Sequence, residues 1–426
     1  MISSARVLRA DNGAEVLCDE LHRTVERPVV WSMDERNRLV ARQLSSVNSG
    51  GLRETFKLRL ASGRVLDATA DSSFLTIDGW RRLGGLETGA RVAIPRRAPE
   101  PLNTQRMVDD EVILLAHMIG DGSCIKRQPI RYASIDEENL RAVANAAKHF
   151  GVTAKRGEYA AAKVTTLRLP APYHLTHGRR NPIAAWLDGL GLFDKRSYDK
   201  FVPAEVFAAP NDQVALFLRH LWATDGCVKW DRKGKQGRIY YASTSERLTN
   251  DVRQLLLRLR ISSRAYRVYQ GAHRDIWHLH ISGVNNQLRF LRLVDVHGEK
   301  FFDVREVRMN LAGVTSNDNV DTVPRQVWGV ARQALTEQRI TQRAFADAMQ
   351  TKFCGSTMWR HSPSRRRLHR AAAILDNQAL HDLTTNDVFW DKVVEIKAIG
   401  QREAFHLSVE GADNFVAQGI CVRSAI

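Results

Sequence analysis

From Ala5 to Pro99, apolar and polar positions alternate in short runs broken by turn residues, the period of half-buried strands. ARVLRADNGAEVL sets Asp11-Asn12-Gly13 between two apolar runs, and residues that tolerate positive φ predict a hairpin there. PVVWSMDERNRLVARQL repeats the arrangement around Met33 to Arg36. The run from Glu54 to Trp80 adds three strands, broken at Ser62-Gly63 and Asp78-Gly79. The expectation is an all-β unit over residues 1–100, ending in a Pro-Arg-Arg linker and PEPLNTQ. The last stretch, 386–426, alternates in the same way and breaks at Gly400, Gly411 and Gly419, so the two ends read as one β unit split in two.

Between them the period becomes helical. LLAHMIGDG, Leu114 to Gly122, and LRHLWATDG, Leu218 to Gly226, are short apolar helical runs, and each ends in Asp-Gly. Each delivers one carboxylate, Asp121 or Asp225, to a helix end. If the helices pack side by side, the carboxylates meet. Ala116 and Gly120 stand at i and i+4, a small-residue face that lets two backbones approach closely, whereas His220 and Thr224 on the matching face predict looser packing. Leu114, Met118, Leu218 and Trp222 bury the other sides. Gly122 and Gly226 are expected to take left-handed backbone angles after the helix.

PIRYASIDEENLRAVANAAKHFGV and RIYYASTSERLTNDVRQLLLRLRI each read as a strand followed by an amphipathic helix, with Ser and acidic residues near the helix start. The repetition implies a pseudo-twofold unit over 101–312, with halves of about 108–210 and 211–312. From 322 to 385 the pattern is helical again. ITQRAFADAM resembles the first helix of a phage-repressor-type helix-turn-helix, with KFCGSTMWRHSPSRRR where a recognition helix and its backbone contacts would fall. The alternative is a helical linker packed on the β unit; Arg365, Arg366 and Arg367 are candidate phosphate contacts in both cases.

Charge narrows the class of partner. The 426 residues carry 63 Lys and Arg against 47 Asp and Glu, a net +16 that favours a polyanion. The segment GCVKWDRKGKQGRIYY, with Lys229, Arg232, Lys233, Lys235 and Arg238, reads as a basic β-hairpin, a candidate contact for such a polyanion. Five scattered cysteines without a CxxC pair argue against a disulfide framework or a zinc finger. With no signal-peptide pattern and no apolar run of about 18 residues, a monomeric cytoplasmic protein away from membranes is expected.

RVLRADNGAEV, LRLASGRVLDATADSSFLTIDGW, LLAHMIGDGSC, NPIAAWLDGLGLFDKRS, APNDQVALFLRHLW and NFVAQGI together resemble the inteins, most closely the mycobacterial inteins that interrupt the replicative DNA helicase. The resemblance implies a mixed α+β fold: a horseshoe-like, all-β Hint splicing domain, split between the termini, with an inserted αββαββα LAGLIDADG homing endonuclease and a small helical segment. Host helicase exteins would be partners if the chain is inserted.

In that family splicing uses a first Cys or Ser, a Thr-x-x-His group, a terminal His-Asn pair and a following nucleophile, because thiolates and hydroxyls attack carbonyls and imidazole moves protons near neutral pH. Here Met1 stands first, Thr69 matches but Ser72 replaces the histidine, Arg423 and Ser424 occupy the His-Asn positions, and Ala425 follows. Serine is no imidazole-like base, arginine stays protonated, and serine has no amide to cyclise. His406 falls where many relatives carry a catalytic Asp; its other reading is a strand residue with an ordinary partner. The splicing constellation is expected to be inactive as written.

The nuclease constellation reads as complete. Phosphodiester hydrolysis calls for a divalent cation on hard oxygen ligands, so the resemblance makes Asp121 and Asp225 the ligands of Mg²⁺ or Mn²⁺. Lys200, in KFVP, and Lys300, in VDVHGEK, are the matching candidates to position water or offset phosphate charge. Three functions remain open: a metal-dependent endonuclease acting on double-stranded DNA at an intein-less helicase-gene site, a self-splicing intein with replaced junction residues, and a non-catalytic DNA-binding protein.

Overall fold

The computed structural model describes residues 1–2, 4–159, 164–176, 178–315 and 320–424. Its two longest strands, Leu39–Leu60 and Val388–Val409, come from opposite ends of the chain and pair antiparallel along most of their length. Register shifts interrupt the ladder at Val393/Glu395, Ala398/Gly400, Ala404/Phe405 and Ser408/Val409. Each extra residue bends and twists the ribbon, and Gly400, at φ 81°, takes the left-handed angle that such a bend favours. Val29–Met33, Val65–Thr69 and Arg91–Pro95 pair with these two strands, and six further terminal strands share a second sheet, ordered Glu15–Leu17, Arg6–Leu8, Asn414–Ala417, Ile420–Arg423, Ser73–Thr76, Gly79–Arg82. The alternation of apolar and polar residues sets which face is buried: Val7, Phe74, Phe415 and Val422 are all fully enclosed.

These strands form one compact unit, residues 1–11, 15–99 and 317–426, and the segment between forms the other, 12–14 and 100–316. The first unit is not wholly β. Cys18–Thr24 is a helix, because Cys18 and Leu21 are buried one turn apart and Arg23 pairs with Asp19 at i,i+4. The expected turn at 34–36 forms between the strands Val29–Met33 and Leu39–Leu60, with Asp34 Oδ1 accepting from the backbone of Arg36 and Arg38.

The helical segment belongs to the β unit's core. Val327–Glu337, Gln342–Ala348, Arg365–Ile374 and Gln378–Thr385 bury Trp328, Phe345, Leu368 and Leu380 in one cluster with Trp31, Met33, Leu75 and Trp390. The helix-turn-helix reading fails here. After Gln342–Ala348 the chain makes only a 3₁₀ turn, Gly355–Trp359, before the next helix starts at Arg365, so the stretch taken as a recognition helix is not helical.

The second unit repeats one plan. Helix Asp109–Gly120, strands Gly122–Ser123 and Arg131–Ser134, helix Glu137–Ala146, strands Lys155–Tyr159 and Val164–Arg168 and helix Pro182–Gly189 form the first half. Asn211–Asp225, Gly226–Asp231, Gln236–Ser243, Glu246–Arg258, Arg264–Val268, Ile276–Ile281 and Val284–Leu293 form the second. Both sheets have the same strand order and all-antiparallel pairing. Ser134 Oγ accepts from the Asp136 amide and Ser243 Oγ from the Ser245 amide, so Asp136 and Ser245 are the equivalent helix caps. The fold is thus mixed α+β, with a split, mainly β unit and a pseudo-twofold αββαββα unit interposed in sequence.

Candidate active site at the paired helix ends

The motif helices Asp109–Gly120 and Asn211–Asp225 cross at their C-terminal ends within backbone-contact range. A Cβ added at Gly120 would lie 2.1 Å from Thr224 Oγ1, so only glycine permits this approach. Gly122 and Gly226 are corrected in their reason. Neither has positive φ, and Gly226 sits at φ −82°, an angle any residue adopts. Glycine is required there by space: a Cβ would fall 2.5 Å from Met118 Cα at Gly122 and 2.5 Å from the Trp222 carbonyl oxygen at Gly226.

The helix contact at His220 is also not loose. His117 Nε2 lies 3.0 Å from His220 Nδ1, and His117 Nδ1 lies 3.0 Å from the Tyr132 hydroxyl. His297 lies over His220, with ring centroids 4.5 Å apart. Burial, then His220 and His297, pushes His117 well below the ordinary imidazole range, and burial, then His297 and Arg219, lowers His220 to about 3. The pair is neutral near pH 7. Ala116, fully buried, holds the small position on the first helix. Sequence reading overlooked His117 because it stands inside an apolar run.

Asp121 and Asp225 end the two helices with their carboxylates open to solvent. Crowding at their base still disfavours the charged forms. Burial, then the Asp225 charge, raises Asp121 to about 6, against the opposing pull of Lys200 and Lys300; burial likewise raises Asp225.

The two lysines do something the spacing did not predict. Lys200 Nζ donates to the carbonyls of Met118, Ile119, Gly120 and Gly122 at 2.9, 2.9, 3.2 and 2.8 Å. Lys300 Nζ donates to those of Trp222, Ala223, Thr224 and Gly226 at 3.1, 2.9, 2.8 and 2.7 Å. Each ammonium therefore caps the helix end that carries an Asp, satisfying orphan carbonyls and the negative end of the dipole. Burial lowers Lys200 to about 8 and also lowers Lys300, with both aspartates opposing the shift.

The caps are tied across the pseudo-twofold. Ser245 Oγ of the second half donates to the Lys200 carbonyl at 2.7 Å, and Asp136 Oδ2 of the first half accepts from the Glu299 amide at 2.8 Å. Gly298, at φ 83°, allows this, since a Cβ would fall 2.2 Å from Asp136 Oδ2. Among the described residues no group of three or more His, Cys, Asp or Glu is arranged to hold a metal ion. A cation would be held by the Asp121 and Asp225 carboxylates together with oxygens from substrate or water, hard donors suited to Mg²⁺ or Mn²⁺.

The basic hairpin forms from Gly226–Asp231 and Gln236–Ser243, with Lys229 opposite Arg238. Lys229, Lys233 and Lys235 are exposed. Arg232 reaches Glu306 at 3.3 Å with its side chain 85 % exposed, and Arg238 pairs with Asp231 at 2.6 Å. Arg365 is corrected. It is buried against Asp321 at 3.0 Å and bonded to the carbonyls of Leu383 and Val388, so it cannot face phosphate. Arg366 is exposed, and Arg367 lies over the Trp328 ring at 5.7 Å.

In the β unit the Met1 amine donates to the Phe405 carbonyl at 2.9 Å, and His406 Nδ1 lies 3.2 Å from Ser424 Oγ, which also accepts from the Leu407 amide. His406 thus has an ordinary hydroxyl partner. Thr69 and Ser72 share a 2.9 Å hydrogen bond, and Arg423 packs over Trp80 at 4.7 Å. Ala425 lies outside the described residues.

Residues 212–295 match the family profile of a LAGLIDADG-like domain. The chain is 36% identical over 408 residues to the replicative DNA helicase DnaB of Synechocystis sp., covering 93% of this chain and 46% of that protein. It is 25% identical over 416 residues to Protein RecA of Mycobacterium tuberculosis, covering 91% of this chain and 51% of that protein. The chain spans about half the length of the curated relatives it matches. A crystal structure of a DnaB intein from Synechocystis sp. is 31% identical over 22% of this chain and 68% of that chain, with a TM-score of 0.22. The structure of I-DmoI in complex with DNA and Mn is 15% identical over 44% of this chain and 97% of that chain, with a TM-score of 0.31. No helix among the described residues is long and apolar enough to cross a membrane. Residues 212–295, which include the helix end bearing Asp225, are thus the stretch of this chain that is similar to a LAGLIDADG-like domain.

Proposed function

We propose that the chain is an intein-derived, site-specific homing endonuclease that hydrolyses both strands of DNA, with Mg²⁺ or Mn²⁺, at a helicase-gene site lacking the insert. The observation that carries the reading is the pair of Asp-bearing helix ends, held in contact by Gly120 and each capped by an equivalent lysine. The similarity to DnaB supports the target class.

A divalent cation would polarise the phosphate and supply hydroxide at neutral pH. Asp121 and Asp225 provide the charge that holds it, and a positive ion would offset the burial, and after it the Asp225 repulsion, that raise Asp121. Lys200 and Lys300 act on the reaction indirectly, by keeping the helix ends, and so the carboxylates, in place. Exposed Lys229, Lys233 and Lys235 supply charge for phosphate contacts.

Purified chain with Mg²⁺ and a duplex carrying an uninterrupted helicase-gene sequence should give a double-strand break. Asp121→Asn or Asp225→Asn should lower the rate by about 10³-fold or more, since charge at the reacting phosphate is usually the largest single contribution. Asp121 binds its proton more readily folded than unfolded, so ionising it costs stability as pH rises through about 6. Mg²⁺ should therefore raise the melting temperature of the wild type at pH 8 and much less at pH 5, and Asp121→Asn should flatten that difference. Intact duplex across all helicase alleles, with no metal-dependent stabilisation, rejects the reading.

A second reading, self-splicing, is favoured by the meeting of Met1, Phe405, His406 and Ser424 in the β unit. Placing Cys at position 1, making Ser72→His and rebuilding a terminal His-Asn pair inside a host protein should yield ligated exteins if the scaffold is competent. No ligation from that variant removes it.

A further inference from the structure

The two sheets of the second unit present different chemistry on their solvent faces. In the first sheet Arg131 lies beside Arg168 and Arg168 beside Lys155, so three cations cross in one row. The next row is Ala133, Thr166 and Gly157. Neither row contains a histidine. In the second sheet the rows are Cys227, Tyr240, His280 and Arg264, then Ala242, His278 and Tyr266. The alternate residues Ile239, Tyr241, Leu279 and Ile281 are buried, which places the histidines on the outer face.

There the rings form a continuous tract. Tyr240 stacks on His278 at 5.0 Å and 8°, and on His280 at 5.2 Å and 26°. Tyr266, 46% exposed, meets His280 edge-on at 5.5 Å. We propose that this tract is a proton-linked surface for double-stranded DNA: when a duplex covers it, His278 and His280 gain protons, so the second half binds its half-site more tightly in mild acid while the first half does not. The inference rests on the DNA-cleaving reading.

The physical reason is a change in surroundings on binding. In the free protein partial burial lowers His278, and burial, then His278 and Arg238, lowers His280, so both are neutral near pH 7. The groups facing them are Tyr240, Tyr266, Cys227, Lys229, Arg264 and Arg238, the last already paired with Asp231. Apart from Asp231 no carboxylate is among them, so nothing in the free protein favours the imidazolium strongly. Duplex phosphates reverse that balance, and a protonated imidazole is a donor to the acceptor edge of guanine in the major groove. Affinity is then gained as pH falls through the window between the bound and free values, at most about tenfold per pH unit for each histidine.

The test uses the full chain in EDTA, at fixed ionic strength and at pH 7.5 and 5.5, to enrich a random-sequence duplex library. The wild type should recover one motif and bind it about tenfold tighter at the lower pH. His278→Gln with His280→Gln should lose preference on one side of the motif, keep the other side, and lose the pH dependence. His280→Lys, with a permanent charge, should bind at pH 7.5 nearly as tightly as the wild type does at pH 5.5; it checks that lost affinity reflects charge rather than misfolding. A motif recovered equally by the double glutamine variant, with the same pH dependence as wild type, overturns this inference and leaves the DNA reading standing. No enriched duplex at either pH overturns both.

Discussion

The two halves of the second unit share a backbone plan and differ in how each motif helix meets its sheet. In the first half His117 bridges Tyr132 on the adjacent strand and His220 on the partner helix. The corresponding residues of the second half are Leu221 and Tyr241, since Gly122 pairs with Tyr132 as Gly226 pairs with Tyr241. Leucine offers the Tyr241 hydroxyl no partner, and that hydroxyl is buried without a hydrogen bond. What stays the same in both halves is the Asp at the helix end, the glycine after it and the lysine cap. The duplicated frame thus preserves the groups that hold the carboxylates, while the polar network behind them has become one-sided.

That comparison breaks most sharply at the caps. Lys200 is nearly fully buried and Lys300 only partly so. Lys200→Met leaves a helix end with unsatisfied carbonyls and should cost about 3 kcal/mol; Lys300→Met, with water able to reach the same groups, should cost about half as much. Urea unfolding midpoints with unchanged slopes measure both. Equal losses would mean that the two caps are energetically the same despite their different burial.

The histidine bridge gives the next largest effect. His117 and His220 bind protons less readily folded than unfolded, so the fold is favoured above the ordinary histidine pKa and loses stability as pH falls below about 6.5. Replacing the pair by the residues of the opposite half, His117→Leu with His220→Ala, should remove about 2 kcal/mol of the stability change between pH 7 and 4. Thermal melts across that range, compared with the wild type, decide it. An unaltered acid dependence would place the titrating groups elsewhere.

The smallest effect has opposite signs in the two halves. Tyr132→Phe removes a hydrogen bond from His117 and should cost about 1 kcal/mol, whereas Tyr241→Phe removes a buried unpaired hydroxyl and should stabilise by about 0.5 kcal/mol. Chemical denaturation of the two variants sharpens the asymmetry if the signs differ. It dissolves if both destabilise equally.

Much of the architecture was legible because it rests on period and repetition. Alternation over the two chain ends marked the strands that pair as Leu39–Leu60 and Val388–Val409, and the two Asp-Gly runs marked the motif helices. The reasons behind single residues were harder to see. Gly122 and Gly226 resemble left-handed helix stops in sequence, but it is crowding by Met118 and Trp222 that excludes a side chain. Arg365 stands in a run of three arginines that reads as a surface patch, yet helix phase and Asp321 draw it inward. Cys18–Thr24 was lost among strands because so short a helix has too few turns to show a period against them.

The sequence by itself determined where strands and helices alternate, that the central unit is duplicated, and that one carboxylate ends each motif helix. Those features are local, written in the spacing of apolar residues and in glycine and aspartate positions. Tertiary structure alone decided what the polar side chains meet. Lys200 lies far along the chain from the carbonyls it caps, and Ser245 ties that cap to the opposite half. His117 finds His220, and Tyr240 finds His278, only after separate elements pack. A buried polar group must be paired or bear a free-energy cost, and its partner is chosen by proximity in space, which no local pattern encodes.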